Sequence, residues 1–359
     1  MAKPKAKPLT LTQAAYAMRK ILLATGITLL VIIVGRIFLE SAVNFWVNTH
    51  PKAPPPPTVG FGILPRLAFP ESVAKPTSFR LEASAATMKA TSDRAMVFFQ
   101  PSKRASLLAL DKASVQAKTL EFIFPPERIT SESYRWRRTD PLPAVLDYNI
   151  VNGTFVLRVD WQSNPSFLQG NRLPDEDSAI NTARNKVSEA GLLAKDMATG
   201  SAKVTYLKSN NGSYTNTVSF SEADFLQVDL FRTPVFGQFP ILTERPNRGT
   251  IRAIISGSQD RSQQIIALDY SYLPVDYTVL YTYPIIPPTA AYQMLSAGNG
   301  YSASIAEGQT EAIIRNVYLA YFDSGSKPQS YMQPIYVFEG DGGYVGYVPA
   351  IDPKWISPQ

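Results

Sequence analysis

Cysteine is absent from the 359 residues, and histidine occurs once, at His50. The first absence excludes disulfides, thiolate metal sites and thiol nucleophiles. The second excludes a His–Ser triad, an HExxH zinc site and a histidine general base anywhere beyond residue 50. An enzyme built on this chain would have mainly carboxylate, Ser–Lys or tyrosine chemistry to use. No motif calls for a metal ion or an organic cofactor, so none is expected. Net charge is scarce too, once the first 50 residues are set aside. They hold six of the 35 Lys and Arg (Lys3, Lys5, Lys7, Arg19, Lys20, Arg36) and one of the 29 acids, Glu40. The other 309 residues carry 29 basic and 28 acidic side chains. The isoelectric point of about 9.2 therefore reflects the N-terminus, and nucleic acid is not an expected partner.

A long apolar run is present. Residues 21–35 are apolar apart from two Thr and two Gly, and the run continues to Val47. A hydrocarbon core roughly 30 Å thick needs about 20 such residues in a helix. A signal peptide would have a shorter apolar core and a small-x-small cleavage site, and 39–42 (Leu-Glu-Ser-Ala) is a poor one. The expectation is a basic cytoplasmic tail (1–20), an uncleaved transmembrane anchor (21–47) and a large extracytoplasmic region. Five basic residues precede the run, which puts the N-terminus in the cytoplasm. Arg36 and Glu40 interrupt it four residues apart, on one helix face. They snorkel, pair, or contact a partner's transmembrane helix.

A proline-rich linker and extended segment (48–75) follows. PKAPPPP at 51–57 cannot be helical and reads as a stiff polyproline spacer, and 61–70 reads as extended chain on the domain surface. Beyond it, 18 Phe, 18 Tyr and 29 Pro favour sheets and turns. Three helix patterns (102–120, 176–190, 289–297) are each followed by strand patterns. Asp175 or Asp177 caps the second helix and Gly191 ends it. Asn152-Gly153 marks a hairpin between strands at 144–150 and 154–161. The expected fold class is α+β: an N-terminal transmembrane helix, then tandem helix-on-antiparallel-sheet units, divided into extracytoplasmic domains at 76–170 and 171–359.

Candidate sites are few. Arg135, Trp136, Arg137 and Arg138, with Lys103 and Arg104, form either a basic aromatic surface for anionic glycan or lipid, or a solvated strand end. Asp175-Glu176-Asp177 lacks Ca²⁺-loop spacing and fits an acidic helix start. The turn at 340–343 fits a hairpin better than an anion cradle. Asp224, Asp229, Asp260, Asp269 and Asp276 offer carboxylates, but nothing fixes two of them at a hydrolase separation. S-x-x-K occurs at Ser72–Lys75 and Ser324–Lys327 without its companion motifs. Thirteen tyrosines crowd residues 270–347 and suit either a sheet core or a binding surface.

The C-terminal stretches 316–322 (NVYLAYF) and 331–338 (YMQPIYVF) resemble the YycH/YycI-type family, membrane-anchored extracytoplasmic regulators of a bacterial two-component system, and the wider PepSY-like modules. The shared pattern is an aliphatic-aromatic strand ending in paired aromatics, a short spacer, then Gln-Pro-Ile-Tyr-Val-Phe. Tyr281-Thr282-Tyr283-Pro284, the following helix and the N-terminal anchor fit the same layout. The resemblance covers roughly residues 175–350. It implies a PepSY/YycI-like ectodomain in a bacterial envelope with a non-enzymatic, regulatory binding role. The leading reading is a single-pass membrane protein whose partner is another envelope or membrane protein. Binding of cell-wall glycan or peptide is the alternative, and a carboxylate-dependent hydrolase the third.

Overall fold

The computed structural model describes residues 11–49 and 56–358, except 73, 85–87, 89–91, 103–105, 170, 171, 211 and 326. The spacer prolines 51–55, His50, the three N-terminal lysines, Lys103 and Arg104 lie outside the described residues. The chain divides into two compact units between residues 56 and 57. The first is one helix, α1 (Leu11–Thr49), in a stretch that has no proline from residue 9 to residue 50. Its segment Met18–Ser41, 24 residues, is long and apolar enough to cross a membrane, as a signal sequence near the N-terminus also is.

The second unit is mostly sheet. In chain order it holds β1 (Ser78–Leu81), β2 (Arg94–Phe99), α2 (Ala109–Thr119), β3 (Glu127–Arg128), β4 (Ser133–Arg138), β5 (Ala144–Asn149) and β6 (Phe155–Val159). Next come α3 (Glu176–Glu189), α4 (Lys195–Ala198), β7 (Ala202–Asn210), β8 (Ser213–Thr217), β9 (Phe225–Leu230), β10 (Ile241–Leu242), β11 (Ile251–Ile255) and β12 (Ile265–Tyr270). The chain finishes with β13 (Asp276–Pro284), α5 (Pro288–Met294), β14 (Tyr301–Ser304), β15 (Glu311–Phe322), β16 (Tyr331–Gly340) and β17 (Val345–Pro349).

Nine strands form one sheet in the order β3-β4-β5-β6-β12-β11-β9-β7-β8. The first two expected helix-then-strands units are both in it. α2 leads into β3–β6 and α3 into β7–β12, and the two sets join where their last strands, β6 and β12, pair antiparallel. Alternation is strict where hairpins need it: Phe155, Leu157 and Val159 are buried while Val156 and Arg158 are exposed. Asn149 shapes the β5–β6 turn by accepting from the Val151 and Asn152 amides, and Gly153 takes φ +81°. Small residues let the helices lie close to the sheet: Ala113 and Ala117 on α2, Ala179 and Ala183 on α3, all buried. Asp175 caps α3 by accepting from the Ser178 amide, 2.9 Å.

The other eight strands make the second sheet around the β15–β16 hairpin. β16 is buried on both faces. α5 and the turn after it cover one face with Ala291 and Leu295, and Leu67 and Phe69 pack on the other. The segment 61–70 runs extended over the surface, as expected, and anchors itself by burying Leu64, 0% exposed and bridged to Ile356, and Leu67. It closes the apolar face of a sheet that has only one short helix of its own.

The expected domain boundary at 170/171 does not separate the sheets. β2 pairs antiparallel with β13, so residues 100–275, holding the whole nine-stranded sheet, are inserted between two adjacent strands. Within that insertion the chain makes one excursion back, at β10, which pairs with β15. β2 and β13 escaped the sequence reading because polar and apolar residues do not alternate cleanly along them.

The tyrosines are largely core, although Tyr281 is 38% exposed. Tyr283, Tyr344 and Tyr347 are 0% exposed, with Tyr321 and Tyr336 nearly so. Burial pushes the Tyr148 and Tyr336 hydroxyls up to about 12, and those of Tyr318, Tyr321 and Tyr347 further. The ordinary value is near 10. The unfolded chain therefore releases these protons first, and stability that is full below a pH of about 10 is lost as pH rises through about 12. In an alkaline titration of the purified protein, tyrosinate absorbance should rise together with loss of sheet circular dichroism. Complete ionisation near pH 10 with the fold intact would contradict this burial.

Candidate functional site

The two sheets meet where the chain leaves β9. The first residues beyond it are Phe231, Arg232 and Thr233, and the Arg232 side chain is 1% exposed. Its Nη1 donates to Asp196 Oδ2 in α4 (3.2 Å), and its Nη2 donates to the Leu273 carbonyl. Its Nε lies 2.9 Å from Asp323 Oδ2, just past β15. The guanidinium carbon is 4.2 Å from the ring centre of Tyr272. Asp196 is saturated further: Oδ1 accepts from Tyr272 Oη and Oδ2 from Tyr277 Oη, each 3.0 Å. Asp323 accepts from the Gly325 amide.

One buried cation thus holds carboxylates from both layers. Burial pulls the Arg232 pKa down, but Asp323, Tyr277 and Asp196 outweigh it, so the net shift is upward and the group stays charged. Burial likewise raises Tyr272, and Tyr277 to about 12, so both remain neutral donors.

Beside this cluster opens a cleft of about 460 Å³, lined mainly by apolar surface from Phe98, Pro234, Val235, Phe236, Val275 and Tyr277. Asp196 and Tyr272 contribute to its wall. Phe236 is 63% exposed and has φ +53°. A left-handed conformation is rare for a bulky residue and costs of order 1–3 kcal/mol. It is held by a tight turn in which Val235 and Phe239 exchange backbone hydrogen bonds, and its ring lies 6.4 Å from that of Phe98. The loop presents an aromatic ring at the rim of the cleft at a cost in backbone strain.

The residues singled out in the sequence are dispersed. Arg135, Trp136, Arg137 and Arg138 do not form one surface, because successive side chains of β4 point to opposite faces. Trp136 is 1% exposed in the core, and the Arg138 side chain is buried against Glu121 and Phe122. Arg135 and Arg137 lie on the other face, where Arg135 pairs with Asp147 and Arg137 lies 3.8 Å from Glu127. Arg135 belongs to a row running across the sheet: Lys203, Asp229, Arg252, Asp269, Val156, Asp147, Arg135, Glu127. Its charges alternate in sign on either side of Val156, so each cation in it faces a carboxylate.

Asp229 and Asp269 are absorbed in this row. Asp224, Asp260 and Asp276 accept from nearby backbone amides. Ser324 donates to the Lys327 carbonyl, and Ser72 accepts from the Ser302 amide. Arg36 and Glu40 pair at 2.9 Å on α1. No protein-family model matches the chain, and neither a curated protein nor a solved structure matches it.

Sequence reasoning missed Arg232, Asp196 and Phe236. The two carboxylates on Arg232 come from distant segments, and no spacing links them. A faint signal did exist for Arg232, as a charge directly after an apolar strand.

Replacing Arg232 with Met leaves two buried carboxylates without their cation, a change that costs about 3–5 kcal/mol in comparable cases. Arg232→Met should lower the thermal midpoint of the full-length protein strongly, and Arg137→Met hardly at all. Equal shifts in the two would remove the seam role of Arg232.

Proposed function

We propose that this chain is a membrane-anchored envelope protein whose large unit binds a partner protein without transforming it. The cleft beside Arg232 takes an apolar side chain from an extended segment of that partner. The observation that carries this reading is Phe236, a strained and exposed aromatic at the mouth of an apolar cleft. Backbone strain of this kind clusters at binding and active sites. Aromatic anchors in apolar pockets also dominate the energetics of protein interfaces.

The polar groups in the wall favour a protein partner over glycan. Asp196, Tyr272 and Tyr277 are engaged with Arg232 and with one another, and Thr199 with Thr233, so Lys195 is the main polar group of the wall left to read sugar hydroxyls. They also disfavour a hydrolase, since both carboxylates at the seam share one guanidinium. The resemblance to envelope regulators agrees with the binding reading. The Arg36–Glu40 pair is a second point of contact, with a partner's helix in the membrane.

Phe236→Gly tests the idea twice. Glycine relieves the left-handed strain, so the variant should unfold at a higher temperature, by about 1 kcal/mol of stability, while losing its partner. A photoreactive residue at position 236 should give one discrete adduct in cells, and one at Val218, 99% exposed, should not. If Phe236→Gly is destabilised like a core variant, or if positions 236 and 218 label alike, the reading fails.

A further inference from the structure

We propose that a second pocket, formed by the loop after β10, binds a single oxyanion group, a phosphate or a carboxylate, through Arg245 and Arg248. This pocket shares no residue with the apolar cleft and holds about 150 Å³, room for one such group. Both guanidinium-bearing residues line it, together with Glu244, Ser271 and Ser324.

The charge inventory calls for an anion. Arg245 and Arg248 line the pocket, and Arg158, Arg252 and Lys203 are linked to its edge through Asp269, Asp229 and Asn247. Lys203 lies within reach of Asn247 of the same loop. The carboxylates are fewer and already engaged. Asp229 serves Arg252, the Gly249 amide and Gln227. Asp269 is divided between Arg158 and Arg248. Glu244 is the third acid. Arg245 is exposed and makes no ion pair among the described residues. Arg248 is half-buried, and its pKa is lowered, first by burial and then by its neighbour Arg252, with Asp269 opposing. A bound anion relieves both effects.

The loop is built in advance. Thr243 Oγ1 lies 2.8 Å from the carbonyls of both Arg245 and Arg248 and closes the turn. Gly249 presses the loop flat on β9, where a Cβ would meet the Leu230 carbonyl at 2.3 Å. The hydroxyls of Ser271 and Ser324 already donate to carbonyls. The donors left are those of Arg245 and the part of the Arg248 guanidinium not given to Asp269, planar forks that match an oxyanion. Glu244 in the wall selects against polyanions and favours one charged group.

The test uses the full-length protein in detergent, with inorganic phosphate, acetate and chloride at matched ionic strength. Phosphate or acetate should raise the thermal midpoint saturably above the chloride baseline. Arg245→Gln, an exposed site without an ion pair, should fold normally and bind about tenfold more weakly or worse, the loss of one charge-assisted hydrogen bond. Arg137→Gln should bind as the parent does. A response to phosphate alone assigns a phosphoryl ligand, and one to acetate alone a carboxylate. No response above chloride, or the same response in Arg245→Gln, overturns the proposal.

Discussion

A guanidinium buried between two carboxylates is expensive to assemble, and this structure places one where its two sheets meet. Arg232 comes from the end of a strand in one sheet, and Asp323 from the end of a strand in the other. Asp196 and two tyrosine hydroxyls complete the shell. Apolar side chains of the same volume would often hold two layers together as well or better. A charge network differs in being directional: it is satisfied in one relative placement of the layers and costly in any other. The position of the 231–249 excursion, and with it the apolar cleft and the arginine pocket, follows from that constraint.

What the sequence revealed, and what it hid, divides along the same line. Features fixed by neighbours in the chain were readable. The Asp175 cap, the Gly191 stop, the Asn-Gly hairpin and the β15–β16 pattern all depend on a few adjacent residues. Features fixed by distant partners were not. β2 pairs with a strand far along the chain, and both of its edges are taken, by β13 and β16. The four-residue basic patch at 135–138 failed for an elementary reason. Strand geometry sends alternate members to opposite faces, so the basic aromatic surface does not form and only Arg135 and Arg137 reach solvent as a strand end would. The tyrosine cluster is largely core, since burial of the rings supplies the apolar area that a sheet with one short helix lacks.

The seam therefore presents two unlike surfaces, one apolar with a strained aromatic, the other rich in arginine. A partner segment carrying an apolar side chain and an acidic group at some distance from it would engage both. Such a pairing of contacts raises affinity by making the second one intramolecular. Nearby stand the charges of the nine-stranded sheet, where each cation of the row faces a carboxylate on the neighbouring strand.

The pairing of β2 with β13 also governs the order of events during synthesis. A ribosome makes β1 and β2 early, yet their partners in β13, β15 and β16 appear only after residues 100–275 have been made. Until then the first strands are edges without a sheet, the kind of surface on which chains aggregate. The inserted nine-stranded layer has all its own pairings inside it and can close by itself. Once closed, it brings the ends of β2 and β13 together and turns a long loop closure into a short one. The layer that carries one wall of the cleft thus also acts as an internal template for the layer that carries the other.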